Sequence, residues 1–428
     1  MNEMGNAAAG AAMGAANRAV PDTVTTRCCI VGGGPAGMML GLLLARAGVD
    51  VVVLEKHGDF LRDFRGDTVH PSTLDVMSDL DLLDSFLERP HDEAHELHAS
   101  ISGTQVTIAD FTRLRTTCGL IALMPQWEFL DFLRDEAARY PGFHLMLNTE
   151  AIGLTEQEGL VDGVKATGAD GPVHIAADLV VAADGRRSVL REAAGLKVRD
   201  IGAPIDVLWM RLPKQLGDAN QTGGYIDAGH FMATIDRGEY WQCAYVIAKG
   251  GIAAIKARGI EAFRAEVALA APPLKDRVGH IASWDDVKLL SVTVDRLVQW
   301  WKPGLLCIGD AAHAMSPVGG VGINLAVQDA VATANLLRDA LGNTSVSADD
   351  LSPLLARVQQ RREFPAKVTQ AVQVAIQNRL LAPVLRSGQR AAPFVVPWPV
   401  RLMQHFPVLQ VIPAYAVGVG VRPERVRL

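Results

Sequence analysis

The chain has 428 residues, enough for two or three domains and a large core. Its 49% hydrophobic content fits a globular protein, and 40 glycines suit a fold rich in tight turns and close backbone approaches. A net charge of −6, with both signs mixed and no basic tract, excludes a surface built to track nucleic-acid phosphates.

Residues 1–25 are rich in Ala and Gly, with one arginine before Val20. A secretory leader needs a basic start and a longer apolar centre, so a disordered tail is expected here. The five cysteines (Cys28, Cys29, Cys118, Cys243, Cys307) form no CxxC pair, which fits a reducing cytoplasm. Cys28 and Cys29 read as packing residues of a buried strand over 28–31.

That strand runs into Gly32-Gly33-Gly34-Pro35-Ala36-Gly37, a helix over 38–47 closed by Gly48, and a second apolar strand ending at Glu55-Lys56. Gly32 permits a tight turn, Gly34 lets a pyrophosphate approach the backbone, and Gly37 lets the helix pack close to the sheet. The helix directs free N–H groups and its positive dipole end at the phosphates. Glu55, 18 residues beyond Gly37, is placed to bond ribose hydroxyls, and its charge disfavours a 2′-phosphate. The unit reads as a dinucleotide site.

Residues 59–67 form a charged loop. The spacing of Leu74, Met77, Leu80 and Leu83 predicts one helix over 72–87. Residues 99–111 alternate like strands, and 127–140 form an amphipathic helix. Strands follow over 145–147, 152–165, 174–175 and 179–183, the last ending at Asp184-Gly185. Over 205–246 the texture changes to strands of a mostly antiparallel sheet, with a hairpin turn at Asp236-Arg237-Gly238. Two of the seven tryptophans and three of the five tyrosines fall here, to line an apolar pocket or simply to pack the sheet. Arg211 and Arg237 are the fixed charges that could point into such a pocket.

Residues 305–310 return to the strand-and-glycine texture, and 323–341 form a helix. Beyond 351 the chain is helical to about 380, then Pro-rich and apolar. Residues 402–421 carry no Asp, Glu, Lys or Arg, but Gln404, His405, Pro407, Gln410 and Pro413 interrupt them. A buried or peripheral segment is expected, with weak membrane-surface contact open and no spanning helix.

Three distant segments thus end a strand with a small residue and an acid: Gly32 to Glu55, Asp184-Gly185-Arg186-Arg187-Ser188, and Gly309-Asp310. A simple nicotinamide dehydrogenase needs only the first. A late return with Gly-Asp, then a glycine loop and a helix, fits a longer cofactor, and FAD has that length.

Gly309-Asp-Ala-Ala-His-Ala-Met-Ser-Pro317-Val-Gly-Gly-Val-Gly322-Ile-Asn324-Leu-Ala-Val-Gln-Asp329 resembles the flavin-contacting motif of the p-hydroxybenzoate hydroxylase-like aromatic-ring hydroxylases, which are FAD-dependent monooxygenases. With the two earlier segments, all three signatures of that family stand in order, and the resemblance covers about 27–341. It implies an α/β fold: a Rossmann-like FAD-binding domain (26–98, 118–200 and 290–350), an inserted, mostly antiparallel β-sheet substrate domain (99–117 and 201–289), and a helical, apolar C-terminal region (351–428).

The resemblance also implies roles. Cofactor contacts fall to Gly32, Gly34, Pro35, Ala36, Gly37, Glu55, Lys56, Arg65, Gln126, Asp184, Gly309, Asp310, Gly320, Gly322, Ile323 and Asn324. Asp310 would accept a bond from a ribityl hydroxyl. Gly319, Gly320 and Gly322 would let the backbone lie against the isoalloxazine edge, with the helix dipole from Ile323-Asn324 aimed at its pyrimidine end. Pro317, the one catalytic position, resembles the proline whose carbonyl lies beside the flavin carbon that binds oxygen. Arg65 contacts the cofactor or is a solvated surface arginine. Gln126 sits where the family has a cofactor-binding glutamine. Asp184 and Arg186 contact FAD and nicotinamide or form a salt-bridged turn. His70, His230 and His313 are acid–base candidates, though a loop or core histidine is the commoner outcome. No spacing suggests a metal, and Ser72 and Ser188 lack a nucleophile elbow.

The expected activity is hydroxylation of a small hydrophobic aromatic (phenol, polyketide, quinolone or quinone precursor) with NAD(P)H and O2 through a flavin C4a-hydroperoxide. Without a second GxGxxG, nicotinamide would visit transiently, as NADH or NADPH. The same fold serves reductases and saturases of isoprenoid-like lipids, which use no oxygen. Flavin halogenases rank low because their Trp-x-Trp-x-Ile signature is absent, and an FAD-binding regulatory protein ranks last.

Overall fold

The computed structural model describes residues 22–61, 68–218, 222–227, 229–387 and 396–427. Two large sheets meet at a glycine-rich loop, whose Val321 packs with the first and Val318 with the second. The first has eight strands: six on the path Trp301–Lys302, Leu305–Cys307, Gly171–Ala182, Asp22–Val31, Val51–Leu54, Phe143–Met146, and two, Leu160–Gly168 and Glu150–Gln157, that branch from Gly171–Ala182. Its central pairs are parallel. Cys28, Cys29, Ile30 and Val31 lie at its centre, buried on both faces, as an all-parallel core requires.

The first strand begins at Asp22, so residues 22–25, expected in the tail, pair in register with Gly171–Ala182; residues 1–21 lie outside the described residues. Gly171–Ala182 is itself one strand, where the sequence reads two pieces at 174–175 and 179–183. The polar break at Asp178 is bridged because its carboxylate pairs with Arg27 of the neighbouring strand. The helix expected over 72–87 is two, Pro71–Asp79 and Leu83–Leu87. Asp81 between them takes φ +58°, which stops the first.

The helix Pro35–Arg46 starts with proline at its first turn and packs beside Gly322–Gly342. Leu40, Leu44, Val327, Val331 and Leu337 are fully buried in that contact, each contributing about 1.5–3 kcal/mol. The pairing sets the two helix N-termini on one side of the sheet.

The second sheet has seven strands in the order Lys288–Leu290, Ile205–Pro213, Tyr240–Ala248, His230–Asp236, Gly223–Asp227, Glu96–Ile101, Thr104–Asp110. All its pairs are antiparallel except Gly223–Asp227 with Glu96–Ile101. Its strands alternate faces. Leu208, Met210 and Leu212 pack outward under the helix Ile260–Ala270, whereas Ile205, Val207 and Trp209 face inward. Thr68–Val69, Ile121–Leu123 and Asp92–Ala94 make a small third sheet.

The C-terminal region opens with Ser352–Ile376, continues through a π-helical turn at Gln377–Leu381, and ends in Trp398–His405 and Val411–Gly418. Residues 402–421 are thus parts of two short helices. Ala414 and Gly418 are buried against the body, while Phe406, Val408 and Ile412 are exposed. Among the described residues no helix is long and apolar enough to cross a membrane.

Candidate functional site

The first loop is held open by two glycines of opposite character. Gly32 takes φ +112°, and a Cβ there would lie 2.4 Å from the Ala183 carbonyl oxygen. Gly34 has φ −79° and caps the helix without a side chain, and a Cβ there would meet nothing within 4 Å. The uncapped N–H groups of Pro35–Arg46 therefore open onto free space, the cradle a pyrophosphate fills. Pro35 and Ala36 form its first turn, and Gly37 is pressed so close to Gly32 that a Cβ would sit 2.0 Å from the Gly32 oxygen. Glu55 follows Val51–Leu54. Its Oε2 accepts the Gly33 N–H at 3.0 Å and its Oε1 the His57 N–H at 3.0 Å, tying the loop to the next strand. Lys56 is exposed beside it.

In the second loop, Asp184 caps a short helix. Among the described residues it makes no ion pair. Its Oδ2 instead accepts the Val189 N–H at 2.8 Å, at the start of Val189–Ala193. Burial pushes its carboxyl up, and its Oδ1 is buried without a partner. Arg186 is the residue in a salt bridge, to Asp310 at 3.2 Å, so the second and third loops are joined by charge.

The third loop begins at Gly309, whose N–H donates to Asp329 at 3.0 Å. Pro317 opens a short turn, Val318–Gly320, in which its carbonyl accepts the Gly320 N–H at 3.0 Å. Gly319 and Gly320 take φ +81° and +64°. The Gly320 carbonyl accepts from Thr68 Oγ1 at 3.0 Å and from His70 Nε2 at 3.1 Å. Gly322 then opens the long helix with no side-chain cap, and a Cβ there would again meet nothing within 4 Å. Ile323 and Asn324 complete this first turn. The Asn324 side chain ties this first turn to a neighbouring helix. Its Oδ1 accepts from Ser72 at 2.6 Å and Thr73 at 2.8 Å, in the helix Pro71–Asp79. Gln126 begins the helix Gln126–Ala137 and is half-buried. Arg65 lies outside the described residues.

The three histidines hold structure. His70 is fully buried, and burial lowers it to about 4, so it donates to Gly320 as a neutral ring. His230 meets the Tyr245 hydroxyl at 2.8 Å on the outer face of the second sheet, and burial lowers it too. His313 pairs with Asp329 at 2.6 Å beneath the Gly309 turn. Asp329 also takes Arg362 Nε at 2.9 Å, and Arg362 lies 3.6 Å from Glu424. Burial alone would raise Asp329, but His313 and Arg362 outweigh it and hold the carboxylate below its usual range.

A second support went unnoticed in the sequence. Gln370, Gln373 and Gln377 fall on one face of the C-terminal helix. Gln370 donates to the carbonyls of Asp295 at 2.7 Å and Ala314 at 3.1 Å. Gln373 brackets Pro317: its Oε1 accepts the Ser316 N–H at 3.1 Å, and its Nε2 donates to the carbonyls of Ser316 at 2.9 Å and Val318 at 2.8 Å. Gln377 donates to Ser316 Oγ. The i, i+3, i+7 spacing was the available signal.

Two uncapped helix N-termini, an acid at the end of the second strand and a Gly-Asp turn converging on one side of a parallel sheet define a dinucleotide flavoprotein. The model of the FAD binding domain family matches residues 25–372. The chain is 33% identical to 6-methylpretetramide 4-monooxygenase of Streptomyces rimosus over 81% of its own length and 83% of that enzyme. It is 30% identical to rifampicin monooxygenase of Streptomyces venezuelae over 70% of its length and 61% of that protein. In fold it is similar to PqsL, a probable FAD-dependent monooxygenase from Pseudomonas aeruginosa, with a TM-score of 0.71 at 22% identity, covering 85% of this chain and 98% of that one. The chain belongs to the FAD binding domain family, as one of its p-hydroxybenzoate hydroxylase-like, FAD-dependent monooxygenases.

Proposed function

We propose that this protein hydroxylates a hydrophobic, flat, polycyclic aromatic compound of polyketide type, using NAD(P)H and O2. The observation that carries the reading is the surface facing the Pro317 turn. Val207, Phe231, Ala244, Val246 and Val292 of the second sheet region form one apolar cluster with Val318 of the flavin loop. An electron-rich ring lying on that surface would be next to the loop and shielded from water. The name of the similar Streptomyces rimosus enzyme, 6-methylpretetramide 4-monooxygenase, supports a substrate of polyketide type.

FAD, when bound, supplies the electron transfer from reduced nicotinamide to dioxygen and the delivery of oxygen to the ring. The residues of the chain do the rest. The first turns of Pro35–Arg46 and Gly322–Gly342 offer backbone N–H groups to the pyrophosphate and to the flavin's pyrimidine edge. Glu55 holds the adenosine ribose, Asp310 the ribityl chain, and the Pro317–Gly320 carbonyls fix the loop at the reacting face. The five described cysteines are all unpaired, which supports a reducing compartment, the cytoplasm.

The test is anaerobic reduction of the FAD-loaded protein by NADH and by NADPH, with and without polycyclic phenols, followed by oxygen uptake. Substrate-stimulated reduction and oxygen consumption are expected. Reduction with no oxygen consumption would favour a reductase of the same fold, and no reduction by either nucleotide would overturn the proposal.

A further inference from the structure

The inner face of the second sheet carries a row of small residues that only the strand register reveals. Trp209 is opposite Ala244, Ala244 opposite Ala233, Ala233 opposite Gly224, and Gly224 opposite Ala99. Directly opposed residues on adjacent strands lie side by side on one face. The row therefore crosses five strands, about 19 Å at the usual strand spacing. A Cβ on Gly224 would reach only the Phe231 ring, at 4.0 Å. Trp209, Ala233 and Ala244 belong to the cluster that includes Val318 of the flavin loop and Leu381 and Leu385 of the C-terminal helices, so this lane runs along the sheet face that the loop and those helices cover.

One end of the lane is polar. Trp209 Nε1 and Gln242 Nε2 are both buried, and among the described residues neither has a hydrogen-bond partner. Gln242 is 4% exposed and lies two residues from Ala244 on the same strand, so its side chain is on the same face. Its Oε1 accepts from Arg237 Nε at 3.0 Å, which fixes the amide so that Nε2 is the free end. Gln242 opposes Arg211, two residues along from Trp209, so the two donors are diagonal neighbours. Buried donors in folded proteins are paired, and an unpaired pair in a binding face marks where a ligand's acceptors go.

We infer that Trp209 and Gln242 are the specificity-determining donors of the substrate site, and that they read two oxygen acceptors on one edge of a flat fused-ring ligand. This rests on the aromatic-substrate reading above and narrows it to ketone, enol or phenol oxygens carried on adjacent rings. A bare hydrocarbon of the same shape leaves both N–H groups unpaired, and the lane's apolar floor cannot distinguish the two on its own.

The test is equilibrium binding to the FAD-loaded, oxidised protein, with 1,8-dihydroxyanthraquinone and anthracene as probes. The parent should bind the oxygenated probe at least about tenfold more tightly. Trp209→Phe and Gln242→Leu should each weaken that probe about five- to tenfold, the effect of one lost hydrogen bond, and leave anthracene unchanged. Gln242→Glu keeps an oxygen for Arg237 and removes only the donor, so it stands in if the leucine variant loses FAD. Equal losses for both probes, or none for the oxygenated one, would overturn the assignment. The assay needs no turnover. Discrimination without oxygen uptake would keep the donors and sink the monooxygenase reading. Oxygen uptake with 1,8-dihydroxyanthraquinone that neither variant alters would do the reverse.

Discussion

Replacing Gln373 by leucine removes three hydrogen bonds at once, all from one carboxamide to the backbone on either side of Pro317. Ser316 is 2% exposed, so its N–H and C=O cannot turn to water. At about 1–3 kcal/mol for each dry, unsatisfied group, the loop loses about 2–6 kcal/mol, while the half-buried Val318 carbonyl rehydrates at smaller cost. That strain is local. The first loop and Glu55 are far along the chain and keep their own bonds, so FAD should still bind. What changes is where the Pro317 turn sits, and a displacement of about 1 Å at a reacting centre costs about a hundredfold in rate. The assay compares product formed with nicotinamide consumed at equal flavin occupancy. Nicotinamide oxidation should continue, with electrons released as hydrogen peroxide and product falling about a hundredfold. Gln373→Glu adds a signature that loss of packing lacks. Its ionised form accepts from Ser316 but repels the two carbonyls, and protonation restores one donor, so coupling should recover as pH falls. A leucine variant that is fully flavinated and as well coupled as the parent would refute the argument.

Gly34→Val should leave the thermal stability of the FAD-free protein within about 0.5 kcal/mol, because its φ of −79° and open surroundings accept a side chain, yet abolish the yellow colour of the purified protein. Calorimetry and an absorbance spectrum check both halves. His70, lowered to about 4 from an unfolded value near 6.5, gives stability that is lost as pH falls from 6.5 toward 4, since the unfolded chain then binds the extra proton. That loss is about 2.5 kcal/mol at pH 4.5, and His70→Gln, which keeps a donor for Gly320, should flatten it in urea titrations at several pH values. Asp329→Asn should cost about 3–5 kcal/mol by leaving Arg362 short of an anion in a dry site. Combining it with Arg362→Met should recover part of that loss in a double-mutant cycle, and strict additivity would show that the pair is not coupled.

What the sequence made legible follows from how local each cause is. The glycines at 32, 34 and 37 answer to steric demands within a few residues of themselves, so a strand, a turn and a helix could be read together. The C-terminal helix was legible for the same reason, but the task of Gln373 was not, because its partners at Ser316 and Val318 are more than fifty residues away. Asp184 shows a finer limit. An acid followed by two arginines suggests a cofactor contact or a salt-bridged turn, and the helix cap that Asp184 makes depends on Asp310, which draws Arg186 away. The break at Asp81 was invisible because no glycine or proline announces the positive φ. Similarly, the polar step at Asp178 looked like the end of a strand until Arg27 from the next strand supplied its charge.

The lane across the second sheet is the extreme case of this dependence. Ala99, Gly224, Ala233 and Ala244 are unremarkable one at a time, and alternation along each strand fixes only which of two faces each occupies. A one-residue slip of any strand would move its member to the outer face and place a bulky side chain in the row. The register therefore has to be exact across four strand pairs for the small residues to stand in one row. Trp209 shares its strand with Val207 and Ile205, whose burial against Val292 and Val294 anchors that register. The apolar packing that stabilises the sheet thus also sets the position of the two donors, so a core change such as Val294→Ala, outside the proposed substrate surface, should weaken oxygenated-probe binding through displacement of Trp209.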